Sequence, residues 1–247
     1  MSLVDDFRAL HHGRAPGDPL VLPGPWDAAS ARVFAEAGFP ALATPSAGVA
    51  ASLGYADGEV PADEMFAAVA RIVRSVPASV PVSADIEDGY GLPPKELVER
   101  LLATGAVGCN LEDSTDGVLR DPHEQADRLA EVRAAAGDGL FINARVDTFL
   151  RGVADPGAAV ERARLYVAAG ADCVYPIFAP PEALPQLRAG IEGPINVGAK
   201  ADGPSLRKLG ELCELGELGA TRITFGPGLL VRATEALREI AGGLKQT

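Results

Sequence analysis

Five carboxylates fall at two points of the chain. Asp85, Glu87 and Asp88 lie in Asp85-Ile86-Glu87-Asp88-Gly89-Tyr90-Gly91, and Glu112 and Asp113 lie in Glu112-Asp113-Ser114. Two ionised carboxyls about 4 Å apart repel by about 4 kcal/mol at an effective dielectric near 20, so a fold that gathers these groups needs a counter-charge. A hard divalent cation meets that need with oxygen ligands. Mg²⁺ keeping several waters is the expectation, with Mn²⁺ an alternative. Asp88 and Asp113 also suit turns or caps, which leaves Asp85, Glu87 and Glu112 as the expected metal set. Arg145, in Asn143-Ala144-Arg145-Val146-Asp147, can grip a substrate carboxylate through paired N–H donors, or pair with the acidic rim. Ser46-Ala47-Gly48 offers a hydroxyl and successive N–H groups able to hold an anion or a developing oxyanion, although an ordinary turn is the plainer reading. Asn196 joins the candidate binding residues. Gly226-Pro227-Gly228 can cradle a phosphate or simply turn the chain. His11 and His12 read as solvated, and His123 as the start of a helix. No GxSxG, Walker A or strand-linked GxGxxG is present.

These groups need elements to position them. Eight apolar runs recur: Leu20–Leu22, Ala41–Thr44, Val80–Ala84, Val107–Leu111, Leu140–Ala144, Asp172–Ile177, Pro194–Val197 and Thr221–Phe225. Between them lie amphipathic stretches at 28–37, 63–76, 94–104, 122–136, 155–169 and 204–215, and a last one, 228–241, follows. Asp121-Pro122 marks a helix start, and Gly38, Gly105, Gly170 and Gly219 sit where left-handed C-caps are expected. Each repeat is about 31 residues, the size of a βαβ crossover. The runs are apolar without alternation, as in a sheet buried on both faces. The pattern predicts an α/β fold, a (β/α)8 TIM barrel in one domain spanning 1–247, with a doubly wound open sheet as the alternative. In a barrel the site lies at the C-terminal strand ends, and the acids, Arg145, the Ser46-Ala47-Gly48 segment, Asn196 and Gly226-Pro227-Gly228 all fall after or at the end of a run.

The chain has 247 residues, with 22 Lys+Arg against 34 Asp+Glu and a net charge of −12. With 47% hydrophobic residues it is no disordered chain. The acidity argues against a nucleic-acid partner and against an anionic membrane surface. Cys109, Cys173 and Cys213 show no CxxC spacing, so no disulfide framework or zinc knuckle is expected. Residues 37–56 carry no charge, but their prolines and glycines speak against a spanning helix. Asp5 and Asp6 precede any apolar run, unlike a signal peptide. A cytoplasmic protein is expected.

Over residues 22–230 the sequence resembles the isocitrate lyase / phosphoenolpyruvate mutase superfamily. The match is carried by PGPWDAASARVFAEAGFPAL, PSAGVAASLGYADGE, SADIEDGYG, CNLEDS and NARVDTF, in order. The resemblance implies a (β/α)8 barrel whose last helix is often exchanged between subunits, and a homotetramer built of dimers. It implies Mg²⁺ near Asp85, Glu87 and Glu112, and a 2-oxo or 2-hydroxy acid whose carboxylate meets Arg145 and the Ser46-Ala47-Gly48 turn. Asp57 matches a substrate-facing aspartate and, with Arg145, is an expected catalytic residue. The implied chemistry makes or breaks a C–C or C–P bond beside a pyruvate-like unit. The sequence also departs from the pattern. The lyases' Cys-bearing loop after strand four is replaced by EDSTDGVLRDPHEQ, without Cys or Lys, and the phosphonomutase loop is missing too. Pro176-Ile177 replaces Pro-Glu, and Glu87 replaces the second aspartate of a DxD pair. These departures argue against isocitrate and methylisocitrate lyase. The expectation is a lyase or decarboxylase cleaving a small 2-oxo or 2-hydroxy dicarboxylate through a pyruvate enolate. A phosphonopyruvate-type mutase or hydrolase, or a catalytically silent metabolite-binding scaffold, is the alternative.

Overall fold

The computed structural model describes residues 2–200 and 209–245. Its strands are β1 (Leu20–Val21), β2 (Leu42–Ala43), β3 (Val82–Asp85), β4 (Gly108–Leu111), β5 (Ser114–Thr115), β6 (Val118–Leu119), β7 (Phe141–Val146), β8 (Cys173–Pro176), β9 (Asn196–Gly198) and β10 (Arg222–Thr224). Its helices are α1 (Leu3–Ala9), α2 (Ala28–Glu36), α3 (Ser46–Leu53), α4 (Ala62–Ser75), α5 (Pro94–Ala103), α6 (Pro122–Ala136), α7 (Pro156–Ala168), α8 (Leu184–Gly190), α9 (Leu209–Glu217) and α10 (Gly228–Leu244).

All eight apolar runs contain a parallel strand. Five strands, in the order β2-β3-β4-β7-β8, curl into a half-barrel, and β1-β10-β9 form a second parallel sheet. A single bridge, Val174 to Ile195, links β8 to the chain entering β9. Across the other gap the Ala43 N–H donates to the Pro23 carbonyl at 3.1 Å. Helices cover the outside, and α4 shows why: its apolar spacing buries Met65, Phe66, Ala68, Val69 and Ile72 on one face. Helix α6 starts as its sequence predicts, with Asp121 accepting from the His123 and Glu124 N–H groups and Pro122 in the first turn. Gly105 adopts φ +85° between α5 and β4, a conformation that costs most side chains free energy.

Four features depart from the sequence reading. Helix α1 is a plug: Val4 and Phe7 pack with Leu20, Ala41, Phe141 and Cys173 beneath the strand starts. His11 follows it and is buried rather than solvated, with 1% of its surface exposed. Its ring stacks on Phe141 at 4.2 Å between centroids, and its Nδ1 lies 2.8 Å from the Phe7 carbonyl. The Ser46-Ala47-Gly48 segment opens α3 instead of forming a turn. The loop after β4 is a hairpin, β5 pairing antiparallel with β6 across Asp116-Gly117. Both turn residues have positive φ, +50° and +80°, the type I′ signature of Asp-Gly. The beginning of the helix expected over 204–215 lies outside the described residues. Among the described residues no helix is long and apolar enough to cross a membrane.

Candidate active site

Strand register brings the candidate residues together. Asp85 pairs with Asn110 across β3 and β4, and Asn110 with Asn143 across β4 and β7. Leu111 pairs with Ala144, which sets Glu112, one residue beyond β4, level with Arg145 in β7. Arg145 in turn pairs with Tyr175 of β8. Side chains alternate along a strand, so Asn110 and Glu112 share one face, as do Asn143, Arg145 and Asp147. That face looks into the sheet's concavity, at its C-terminal end. The fifth run extends two residues further than its apolar pattern, and Arg145 sits inside the strand rather than after it.

Arg145 is buried and heavily engaged. Its Nη1 pairs with Glu112 Oε1, while Nε and Nη2 donate to Asp147 Oδ1 at 3.0 and 2.9 Å. Asp147 is fully buried and also accepts from the Ser114 hydroxyl through Oδ2. Its backbone N–H donates to Asp113 Oδ1 at 2.8 Å. Asp113 is anchored by Tyr166 Oη at 2.7 Å and Arg162 Nη1 at 3.0 Å. Asp113 is therefore a structural hub behind the site. Asp85 Oδ2 accepts from the Ser46 hydroxyl at 3.0 Å and from the Ser46 N–H at 3.3 Å. The Asp85 N–H donates to Thr44 Oγ1 at 3.1 Å. Asp88 is taken up by Thr115 Oγ1 at 2.7 Å and Arg120 Nη2 at 3.2 Å.

A cavity of about 350 Å³ opens here, with Ser46, Asp57, Asp85, Glu112, Arg145 and Tyr175 in its wall. That size suits a small metabolite. Leu150, Ile177, Phe178 and Pro227 supply an apolar side. A second cavity of about 390 Å³ continues outward past Glu87, Asp88 and the β5–β6 hairpin, and Asp57, Glu112 and Arg151 line both. Besides Asp116 in the hairpin turn, Glu87 and Phe178 at this mouth hold left-handed backbone, φ +53° and +58°. Such strain in non-glycine residues costs about 1–3 kcal/mol and concentrates at functional sites.

The acids outnumber the cations facing them. Burial, then the charges of Asp85, Asp57 and Asp88, push the Glu87 carboxyl up to about 7. Burial and the charges of Asp85, Asp147 and Glu87 push Glu112 upward, against the opposing pull of Arg145. Partial desolvation and the Asp85 charge raise Asp57. Glu87 Oε1 is buried with no hydrogen-bond partner. Among the described residues no three His, Cys, Asp or Glu side chains converge as a direct metal cage.

Of the residues singled out in the sequence, Ser46, Ala47, Asp57, Asp85, Glu112 and Arg145 meet at the first cavity, and Glu87 lines the second. Gly48 and Asn196 line neither. A Cβ on Gly48 would stand 2.8 Å from Pro45 Cγ and 3.5 Å from Trp26 Cβ, so this glycine serves close packing. Asn196 is buried and donates to Thr224 Oγ1 at 3.2 Å, and Thr224 is the residue that reaches the cavity. Sequence reading passed over Asn110, Asp147, Arg151, Tyr175 and Thr224 as site residues. For Asp147 a signal existed: it lies two positions after Arg145, on the same strand face.

The phosphoenolpyruvate phosphomutase family model matches residues 7–245. An uncharacterised protein of Mycobacterium tuberculosis is 35% identical over 243 residues, covering 96% of this chain and 89% of that protein. A Burkholderia cenocepacia protein of solved structure, provisionally assigned as a phosphonomutase, is 39% identical, with a TM-score of 0.85 over 98% of each chain. The solved 2,3-dimethylmalate lyase, a member of the PEP mutase/isocitrate lyase superfamily, is 28% identical, with a TM-score of 0.85 over all of this chain and 88% of that one.

Proposed function

The chain belongs to the phosphoenolpyruvate phosphomutase family, and we propose that it acts there as a Mg²⁺-dependent lyase or decarboxylase on a small 2-oxo or 2-hydroxy dicarboxylate, with oxaloacetate-like acids first. One observation carries this reading. Asp85 and Glu112 border a metabolite-sized cavity that also holds the Arg145 guanidinium, and Glu87 lines the adjoining cavity that shares Glu112 with it. The similarity to 2,3-dimethylmalate lyase supports the C–C assignment.

The donor set fits a hard cation. It is all oxygen, Glu87 Oε1 is an orphaned buried acceptor, and the surplus of carboxylates is not neutralised by Arg145. Mg²⁺ keeps several waters and needs few direct protein ligands, which agrees with the open arrangement. Asp85, Glu87 and Glu112 would hold the ion, and when bound it supplies Lewis-acid stabilisation of negative charge on the substrate's 2-oxygen.

The chain's own groups do the rest. Arg145 directs its remaining N–H donors at the 1-carboxylate and keeps its orientation because Glu112 and Asp147 hold the guanidinium from two sides. The first N–H groups of α3 lack intrahelical partners, and Ala47, which lines the cavity, would offer its N–H to the developing enolate oxygen from the helix's positive end. In oxaloacetate the C3–C4 bond breaks, CO₂ leaves, and the bonding pair forms the enolate with charge on the 2-oxygen. Asp57 then returns a proton to C3 to give pyruvate. Partial burial of its carboxyl raises its affinity for that proton.

The same reading extends to architecture. We propose that the two sheets close as one eight-stranded (β/α)8 barrel in a single domain. The Val174–Ile195 bridge and the Ala43-to-Pro23 hydrogen bond support closure at both gaps. Helix α10 buries none of its residues and exposes Val231, Leu237, Ile240 and Leu244, which supports its exchange with a second copy in a homo-oligomer. Three unpaired cysteines are in keeping with a cytoplasmic setting.

The test is turnover of purified protein with Mg²⁺ on oxaloacetate, alkylmalates, methylisocitrate and phosphonopyruvate. The expected result is metal-dependent pyruvate from a C–C substrate, lost in Asp85→Ala and Arg145→Ala. Free phosphate from phosphonopyruvate would move the assignment to C–P chemistry. No turnover with no Mg²⁺ binding would leave only a silent scaffold.

A further inference from the structure

Arg145 and Arg151 line these cavities, Arg120 and Arg162 pair with acids close by, and of the four only Arg151 carries no carboxylate among the described residues. Arg120 pairs with Asp88, Arg145 with Glu112 and Asp147, and Arg162 with Asp113. Arg151 is different. Its Nε and Nη2 both donate to one neutral oxygen, Ser114 Oγ, at 3.3 and 3.0 Å. Among the described residues no acid pairs with it, although Asp57, Glu87, Asp88 and Asp116 line the same second cavity. The Ser114 proton is committed to Asp147, so the hydroxyl turns its lone pairs toward Arg151 and fixes one edge of the guanidinium. The backbone is fixed as well, since the Arg151 N–H donates to the Asp147 and Thr148 carbonyls at 2.9 and 3.1 Å. The result is a solvent-accessible cation, aimed by a neutral hydroxyl, at the junction of the two cavities. A guanidinium presents a planar fork that matches a carboxylate.

We propose that Arg151 receives the distal acid group of a two-headed substrate, so that the enzyme selects short dicarboxylates over monocarboxylates. The assignment rests on the reading of the first cavity as a 2-oxo or 2-hydroxy acid site: Arg145 takes the head carboxylate, and Arg151 takes the other end. It gives the β5–β6 hairpin a purpose, since Ser114 on β5 is what orients the selecting cation.

The probes are malate and lactate of matching configuration, which differ only in the second carboxylate. Each is titrated by calorimetry into the full-length protein with Mg²⁺. Malate should bind the wild type more tightly than lactate. Arg151→Gln should weaken malate by about 10- to 100-fold, the worth of a charge-assisted hydrogen bond, and leave lactate unchanged. Arg151→Lys, which keeps the charge and loses the fork, should fall between. Circular dichroism checks that each variant is folded. A malate preference that survives Arg151→Gln overturns the assignment, as does an equal loss for both ligands. Wild-type protein that binds neither acid overturns the first-cavity reading and this assignment with it.

Discussion

Acidification should destabilise the fold through one histidine. His11 is buried between Phe7 and Phe141, and its Nε2 has no hydrogen-bond partner. Burial, then the Arg222 charge, lowers its pKa from 6.5 to about 3; His12 and Arg14 add to the shift, while the Phe7 carbonyl opposes it. The sign follows from proton counts. Between pH 6.5 and pH 3 the unfolded histidine is protonated and the folded one is not, so the unfolded state binds the extra proton. Stability is therefore fully present above pH 6.5 and is lost as pH falls toward 3, by up to about 1.4 kcal/mol per pH unit. From pH 7.5 to pH 5 the loss amounts to about 2 kcal/mol. The comparison is urea unfolding of wild type and His11→Phe at both pH values. Phenylalanine keeps the aromatic packing and removes the titration, and any fixed packing cost cancels because only the pH difference is compared. The wild-type midpoint should drop by about 0.7–1 M more than the variant's, taking a slope of 2–3 kcal/mol/M. Equal drops in the two proteins would refute the argument and would place a proton acceptor or water against Nε2.

Asp147→Asn removes the charge that holds Arg145 from one side, and breaking a buried pair costs about 3–5 kcal/mol; differential scanning calorimetry should show a large fall in Tm, and no fall would mean that Glu112 alone holds the guanidinium. Gly48→Ala forces a Cβ against Pro45 Cγ, 2.8 Å away, and should cost about 1–3 kcal/mol by overpacking while displacing the α3 N-terminus, read as a lower Tm together with slower turnover. Deleting residues 228–247 removes a helix with no buried residue, so light scattering should report smaller assemblies while circular dichroism retains the fold; an unchanged mass would show that α10 is not what joins the subunits. Chelation of divalent ions should abolish turnover and lower Tm, and Mg²⁺ should restore both, with Asp85→Asn insensitive to either treatment.

Much of this arrangement is written locally. The eight apolar runs, the Asp121-Pro122 helix start and the Gly105 cap are short-range signals, because backbone conformation and one-sided burial act over a few residues. Residue type at strand ends was enough to collect Asp85, Glu112 and Arg145. The hairpin was also legible, since Asp116-Gly117 is a type I′ dipeptide, yet the missing loop chemistry drew attention to absent residues and away from that turn. Chemical type alone could not say which acids are free. Asp113 and Glu112 are adjacent in sequence, but Asp113 faces Tyr166 and Arg162 while Glu112 faces Arg145. Nor could it say that His11 is buried by a plug helix whose partners lie some 130 residues away in β7. The sequence by itself determined the strand–helix rhythm and the kinds of groups at the mouth. Only the tertiary structure decided their pairing: register places Glu112 level with Arg145, two acids hold one guanidinium, and Arg151 is left on a serine. Pairing is a property of distance between elements far apart in the chain, and no local pattern encodes it.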